Sequence, residues 1–120
     1  MRLQSIINQQ QRCLTSVFVL LFFSSIALLG GNITLTTQTQ VDNFNLNGTL
    51  TGNLSIGNAF SNSNIQNLNG LSGLRRIDGD LVISFNSLLE TLDGLSNLES
   101  VSGNIIITNN TTLDLSLIHI

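Results

Sequence analysis

The sequence predicts a mostly-β chain, a short parallel β-solenoid of 24-residue coils closed by a short N-terminal capping helix. Three observations carry this. LRRIDGDLVISFN at 74–86 returns as LESVSGNIIITNN at 98–110. Within each copy, Leu81-x-Ile83 and Ile105-x-Ile107 alternate apolar and outward positions, the period of a strand with one buried face. Finally, Asn69-Gly70 and Asp93-Gly94 punctuate the copies with turn dipeptides, and no stretch reads as a long amphipathic helix.

Of the 120 residues, the first 31 differ from the rest. Arg2 and Arg12 precede a charge-free apolar run, residues 13–31, and Ser25-Ile26-Ala27 offers a small-x-small cleavage pattern, with later sites at Gly30 and Gly31. This is the order of a secretory signal peptide over 1–31. The competing reading is an uncleaved anchor, because the run approaches the ~20 residues that span a bilayer. The only cysteine, Cys13, lies before these cuts. Beyond residue 31 two arginines face seven acids, a net charge of −5 with no lysine. Without a basic stripe, nucleic acid is excluded as a partner.

Residues 32–45 are read as an N-terminal cap. Thr37 followed three residues later by Gln40 fits a capping box, and Val41 and Phe44 fall on one side of a short helix that would lid the first coil. Residues 46–113 carry the coils. Residues 68–91 match 92–115 at nine positions: Leu68, Gly70, Leu71, Ser72, Leu74, Gly79, Ile83, Asn86 and Leu89. A period of 24 lies within the range of leucine-rich repeats, whose units bury their apolar side only by stacking. LTGNLSI at 50–56 supplies a looser first copy, and the segment NAFSNSN after it carries extra residues expected to bulge outward. Equivalent strands would pair in parallel about 4.8 Å apart, so each coil would extend one continuous sheet.

Asn86 and Asn110 complete a Leu-x-Ile-x-x-Asn order, where an inward amide can satisfy backbone groups at a corner and build an Asn ladder; the alternative is an ordinary surface turn. The first coil has Ala59 at that position. Outward strand positions give the candidate binding face: Asp80, Val82 and Ser84 on one coil, and Asn104, Ile106 and Thr108 on the next. Its central row is partly apolar, which serves either a partner or strand propensity alone.

The order QVDNF, then LTGNLSI, then repeated L-x-x-I-x-G-x-L-x-I-x-x-N separated by L-x-G-L-S-x-L resembles the receptor L-domain type of leucine-rich solenoid. It is also similar to secreted surface proteins of Bacteroidetes-like bacteria that carry arrays of such coils. The resemblance covers residues 33–113 and implies a right-handed solenoid, an extracellular or cell-surface location and a role in binding or adhesion, with no chemistry. Members often place a Cys before the first coil, where this chain reads Asn45-Leu46-Asn47.

No catalytic residue, metal ligand set or cofactor site is expected. His119 is the sole histidine and lies outside the repeat, and no phosphate loop or spaced metal ligands occur. Asp78 and Asp80 are weighed as a calcium site against a polar turn row around Gly79. Arg75-Arg76 is weighed as a docking patch against a solvated pair between Arg75 and Glu99. Asn32, Asn47, Asn53, Asn109 and Asn110 begin glycosylation sequons that matter only in a eukaryote.

The expected function is therefore that of an exported non-enzymatic module binding a protein or glycan at a cell surface. The alternative is a spacer rod that presents other domains, and the membrane enters only through an uncleaved N-terminal segment. Residues 114–120 break the pattern, with Ser116, Ile118 and His119 where a further coil needs an apolar residue, Gly and Leu. LSLIHI resembles translated adaptor read-through. Asp114 to Ile120 are thus expected to be partly or wholly foreign, and the parent to continue with more coils and a cap.

Overall fold

The computed structural model describes residues 27–115. Arg2, Arg12 and Cys13 of the expected signal, and Ser116, Ile118 and His119 of the irregular ending, lie outside the described residues. Within them the chain is mostly sheet. Strands β1 (Ala27–Gly30), β2 (Ile33–Leu35), β3 (Gly48–Thr51), β4 (Leu54–Ile56), β5 (Leu74–Ile77), β6 (Leu81–Ser84), β7 (Ser100–Val101) and β8 (Ile105–Thr108) alternate between two four-stranded parallel sheets. The first is ordered β1-β3-β5-β7 and the second β2-β4-β6-β8.

Each unit contributes one strand to each sheet, so the expectation of one continuous sheet is corrected to two. The strand that escaped the periodicity argument is β5. Its residues Leu74, Arg75, Arg76 and Ile77 run buried, exposed, exposed, buried rather than alternating. A further unit also lies upstream of the three read from the repeat. Leu29-x-Gly31-Asn32-Ile33-Thr34-Leu35 repeats the pattern of Leu50-x-Gly52-Asn53-Leu54-Ser55-Ile56, and Leu29 pairs Leu50 in register while Ile33 pairs Leu54.

The chain passes from one sheet to the other at a Gly-Asx corner, Gly31-Asn32, Gly52-Asn53, Gly79-Asp80 and Gly103-Asn104. There the backbones approach so closely that a Cβ on Gly79 would sit 2.4 Å from the Gly52 carbonyl oxygen. Only glycine fits. The next residue links the units. The Asn32 Oδ1 accepts from the Asn53 N–H at 2.9 Å, Asn53 Oδ1 from the Asp80 N–H at 2.8 Å, and Asp80 Oδ1 from the Asn104 N–H at 2.7 Å. These bonds satisfy amides that a corner would otherwise leave without a ladder partner.

The expected short helix is present as α1 (Gln38–Asp42), with Thr37 as N-cap accepting from the Gln40 N–H and the Gln40 side chain accepting from the Thr37 N–H. Its place differs from that of a lid. β1 and β2 precede it, and it packs beside η1 (Asn69–Leu71), which in turn packs on η2 (Asp93–Leu95). The Gln38 Oε1 ties it sideways by accepting from the Gln66 N–H at 2.7 Å.

Among the described residues the two sheets, α1 and the short helical turns share one cluster of Leu, Ile and Val. It includes Leu50, Leu54, Ile56, Leu71, Leu74, Ile77, Leu81, Ile83 and Leu95, all fully buried, with Val41 contributed by α1. Each such side chain stabilises the fold by about 1.5–3 kcal/mol through removal from water. The segment after β4 bulges as its composition predicts: Ala59 to Asn62 are exposed, and the chain returns inward at buried Ser63 and Ile65.

Candidate binding surfaces

Three places gather side chains that the core does not absorb. The first is the outer face of the second sheet. Because Leu81 and Ile83 point inward, Val82 and Ser84 point out, and register places Val82 beside Ile106 and Ser84 beside Thr108. The central row continues through Ser55 and Thr34, so Thr34, Ser55, Val82 and Ile106 form one line across four strands. Of the six residues read as this face, Asp80 and Asn104 stand apart, at the Gly-Asx corner. The Asp80 carboxylate is engaged by the Asn104 N–H, so it is a link between units rather than a free outward group.

The second place is the corner after that sheet. Phe85 and Asn109 both adopt left-handed backbone, with φ of 59° and 56°, and turn the chain just before Asn86 and Asn110. Asn86 is completely buried. Its Nδ2 donates to the carbonyls of Ile56 at 3.0 Å and Ser84 at 3.1 Å and to Asn110 Oδ1 at 3.0 Å, while its own N–H donates to the same Oδ1. Asn110 Nδ2 donates to the Ile83 carbonyl at 2.8 Å. These two amides therefore run perpendicular to the strands and join three units. Where the earlier unit has Ala59, the buried Ser63 hydroxyl donates to Asn86 Oδ1 instead. The bulge thus delivers a substitute from four residues further on, which no fixed spacing could reveal. At its tip Phe60 is fully exposed, near Phe85.

A third place, on the first sheet, is a cleft of about 660 Å³ lined by Asn47, Gly48, Thr49, Ser72, Gly73, Arg75, Arg76 and Glu99. It exists because β3 and β5 slip against each other. Gly48 pairs Leu74 and Thr49 pairs Arg76, which leaves Arg75 as an extra residue. Such a bulge re-aims side chains, and here it sends two consecutive arginines to one face. Arg75 Nη1 meets Glu99 Oε1 at 2.8 Å, and both side chains are more than half exposed. Arg76 Nε donates to Asp78 Oδ1, and the Ser102 hydroxyl donates to the same oxygen at 3.1 Å. The Arg76 hydrogen bond, with help from Ser102 and the Arg76 charge and against some desolvation, holds the Asp78 carboxyl below the ordinary carboxylate value.

Asp78 and Asp80 do not converge: one is held by Arg76 and the other by the Asn104 amide. Among the described residues no three acidic, histidine or cysteine side chains are grouped as metal ligands, and no helix is long and apolar enough to cross a membrane. Comparison of the chain with protein families, curated proteins and solved structures finds no match. What these surfaces offer chemically is recognition by hydroxyls, amides, branched apolar groups and two guanidinium ions.

Proposed function

We propose that this chain is an exported, non-enzymatic binding module, a short right-handed solenoid of the leucine-rich, receptor L-domain type that engages a protein or glycan at a cell surface. The observation that carries the reading is the line Thr34, Ser55, Val82 and Ile106 across the second sheet. Along it the outward residues change from small hydroxyls to branched apolar groups, and Ile106 remains 43% exposed. Two linked sheets hold this line on a stiff backbone, which lowers the entropy lost when a partner is bound. A mixed polar and apolar strip is the composition of a transient interface, whose whole area is no more apolar than ordinary surface.

The test is a screen of the immobilised full chain against cell-surface polysaccharides and surface proteins, followed by the double variant Val82→Lys, Ile106→Lys. Loss of capture by at least tenfold with an unchanged circular dichroism spectrum supports the face. Undiminished capture by the double variant removes it. If the parent chain captures nothing from the screen, a spacer rod becomes the better reading.

A further inference from the structure

We propose that the cleft over the first sheet is a second, separate binding site, for the carboxylate of an acidic saccharide. The charge argument comes first. Arg75 and Arg76 are the only cationic side chains among the described residues, and the β3–β5 slip places both on one wall of one cleft. Each is anchored by a single bond: Arg75 through Nη1 to Glu99, Arg76 through Nε to Asp78. A guanidinium has five donors. The remaining N–H groups of both arginines, including the parallel pair on the terminal nitrogens of Arg76, have no partner among the described residues, and both arginines line the cleft. Parallel N–H groups match the two oxygens of a carboxylate.

The rest of the lining says what carries that carboxylate. Asn47, Thr49 and Ser72 offer an amide and two hydroxyls, Gly73 leaves the space into which the Asn47 amide packs, and Glu99 adds an acceptor. Among the described residues no large apolar side chain lines the cleft, so its walls offer hydrogen-bonding groups rather than a pocket for the apolar anchor of a peptide. A uronic acid fits instead, its carboxylate on Arg76 and its hydroxyls on the amide, the hydroxyls and Glu99. The volume lies within the range of small-ligand sites. This site stands on the opposite sheet from the Val82–Ile106 line, and its failure leaves that reading untouched.

Glu99 makes the proposal sharp. Held on Arg75, it sets a negative charge in the lining of the cleft that repels an incoming carboxylate, whereas Asp78 grips Arg76 at Nε, away from the donors the ligand needs.

The experiment is titration of the full chain with a tetragalacturonate, followed by calorimetry and amide chemical shifts, with a neutral tetrasaccharide and inorganic sulfate as companions. Binding of the uronate but not of the neutral sugar is expected, weakening at least tenfold in Arg76→Gln and with rising salt. Glu99→Gln should tighten it severalfold, a gain that mere loss of structure cannot produce. The Val82→Lys, Ile106→Lys variant should bind the uronate as the parent does. The proposal is overturned if the uronate does not bind at millimolar concentration, if Arg76→Gln binds it equally well, or if the neutral sugar binds as tightly. Sulfate binding as tightly as the uronate would also overturn it, reducing the cleft to a simple anion site.

Discussion

Residues 68–91 and 92–115 spell the same unit twice, yet the two copies live in different environments. Leu81 is fully buried, while its register partner Ile105 is 50% exposed; Ile83 is buried, while Ile107 is only partly so. The side chains are chemically equivalent and their backbones are paired. What differs is the neighbour. β6 has β4 on one side and β8 on the other, whereas β8 pairs only with β6. Even within the outer copy, Leu95 and Leu98, on the side facing η1 and β5, are buried. Burial here is a property of position in the stack, and the energetic weight of each repeat position follows from it.

The largest contrast is expected from cavity creation. Leu81→Ala removes atoms packed on all sides and should cost about 3 kcal/mol, whereas Ile105→Ala should cost under about 1 kcal/mol. Urea unfolding of the two variants measures this, and equal losses would break the comparison. The second contrast lies in the corner amides. Asn86→Leu strips partners from the Ile56 and Ser84 carbonyls and from the Ser63 hydroxyl, at about 1–3 kcal/mol, because the Ile56 and Ser63 groups are buried and the Ser84 carbonyl is partly so. Asn110→Leu should cost about half as much, since water reaches its half-buried corner. A larger loss from Asn110 in the same measurement would show that the outer unit is stabilised by contacts other than those described.

The smallest contrast is electrostatic and sharpens the same comparison, because the outer unit has Ser100 and Ser102 where the inner one has Arg76 and Asp78. The folded-state pKa of Asp78 is lowered. Its contribution to stability is therefore complete above the unfolded carboxylate value of about 3.9 and is lost as pH falls through the lowered folded value. Asp78→Asn should accordingly be less stable than the parent at neutral pH and converge with it in acid, whereas Ser102→Ala should show only a slight pH dependence. Parallel curves for Asp78→Asn and the parent down to acid pH would mean that the Arg76 bond contributes nothing.

Much of this architecture was legible in the residues. Alternation in LVIS and IIIT marks β6 and β8, the 24-residue step sets their register, and Thr37 with Gln40 marks the helix start. Other parts were not. LLGGNITL matches TLTGNLSI closely, but its first half continues an apolar run that reads as an export signal, so the upstream unit is hidden by a stronger pattern. LRRI hides β5 for a different reason: a bulge breaks the period of two, and period was the only strand signal available.

By itself, then, the sequence determined the unit: its inward Leu and Ile positions, its recurring Gly and, in the two clean copies, its 24-residue period and its Asn, because these are local demands of backbone geometry and solvent. Only the tertiary structure decided which copies are enclosed, which sheet each strand joins, and that Ser63 stands in for a missing Asn across a bulge. It alone also placed Arg75 and Arg76 on one face of one cleft. These depend on how one unit slides and seats against the next, a relation set by packing between segments distant in the chain, and therefore absent from any single repeat.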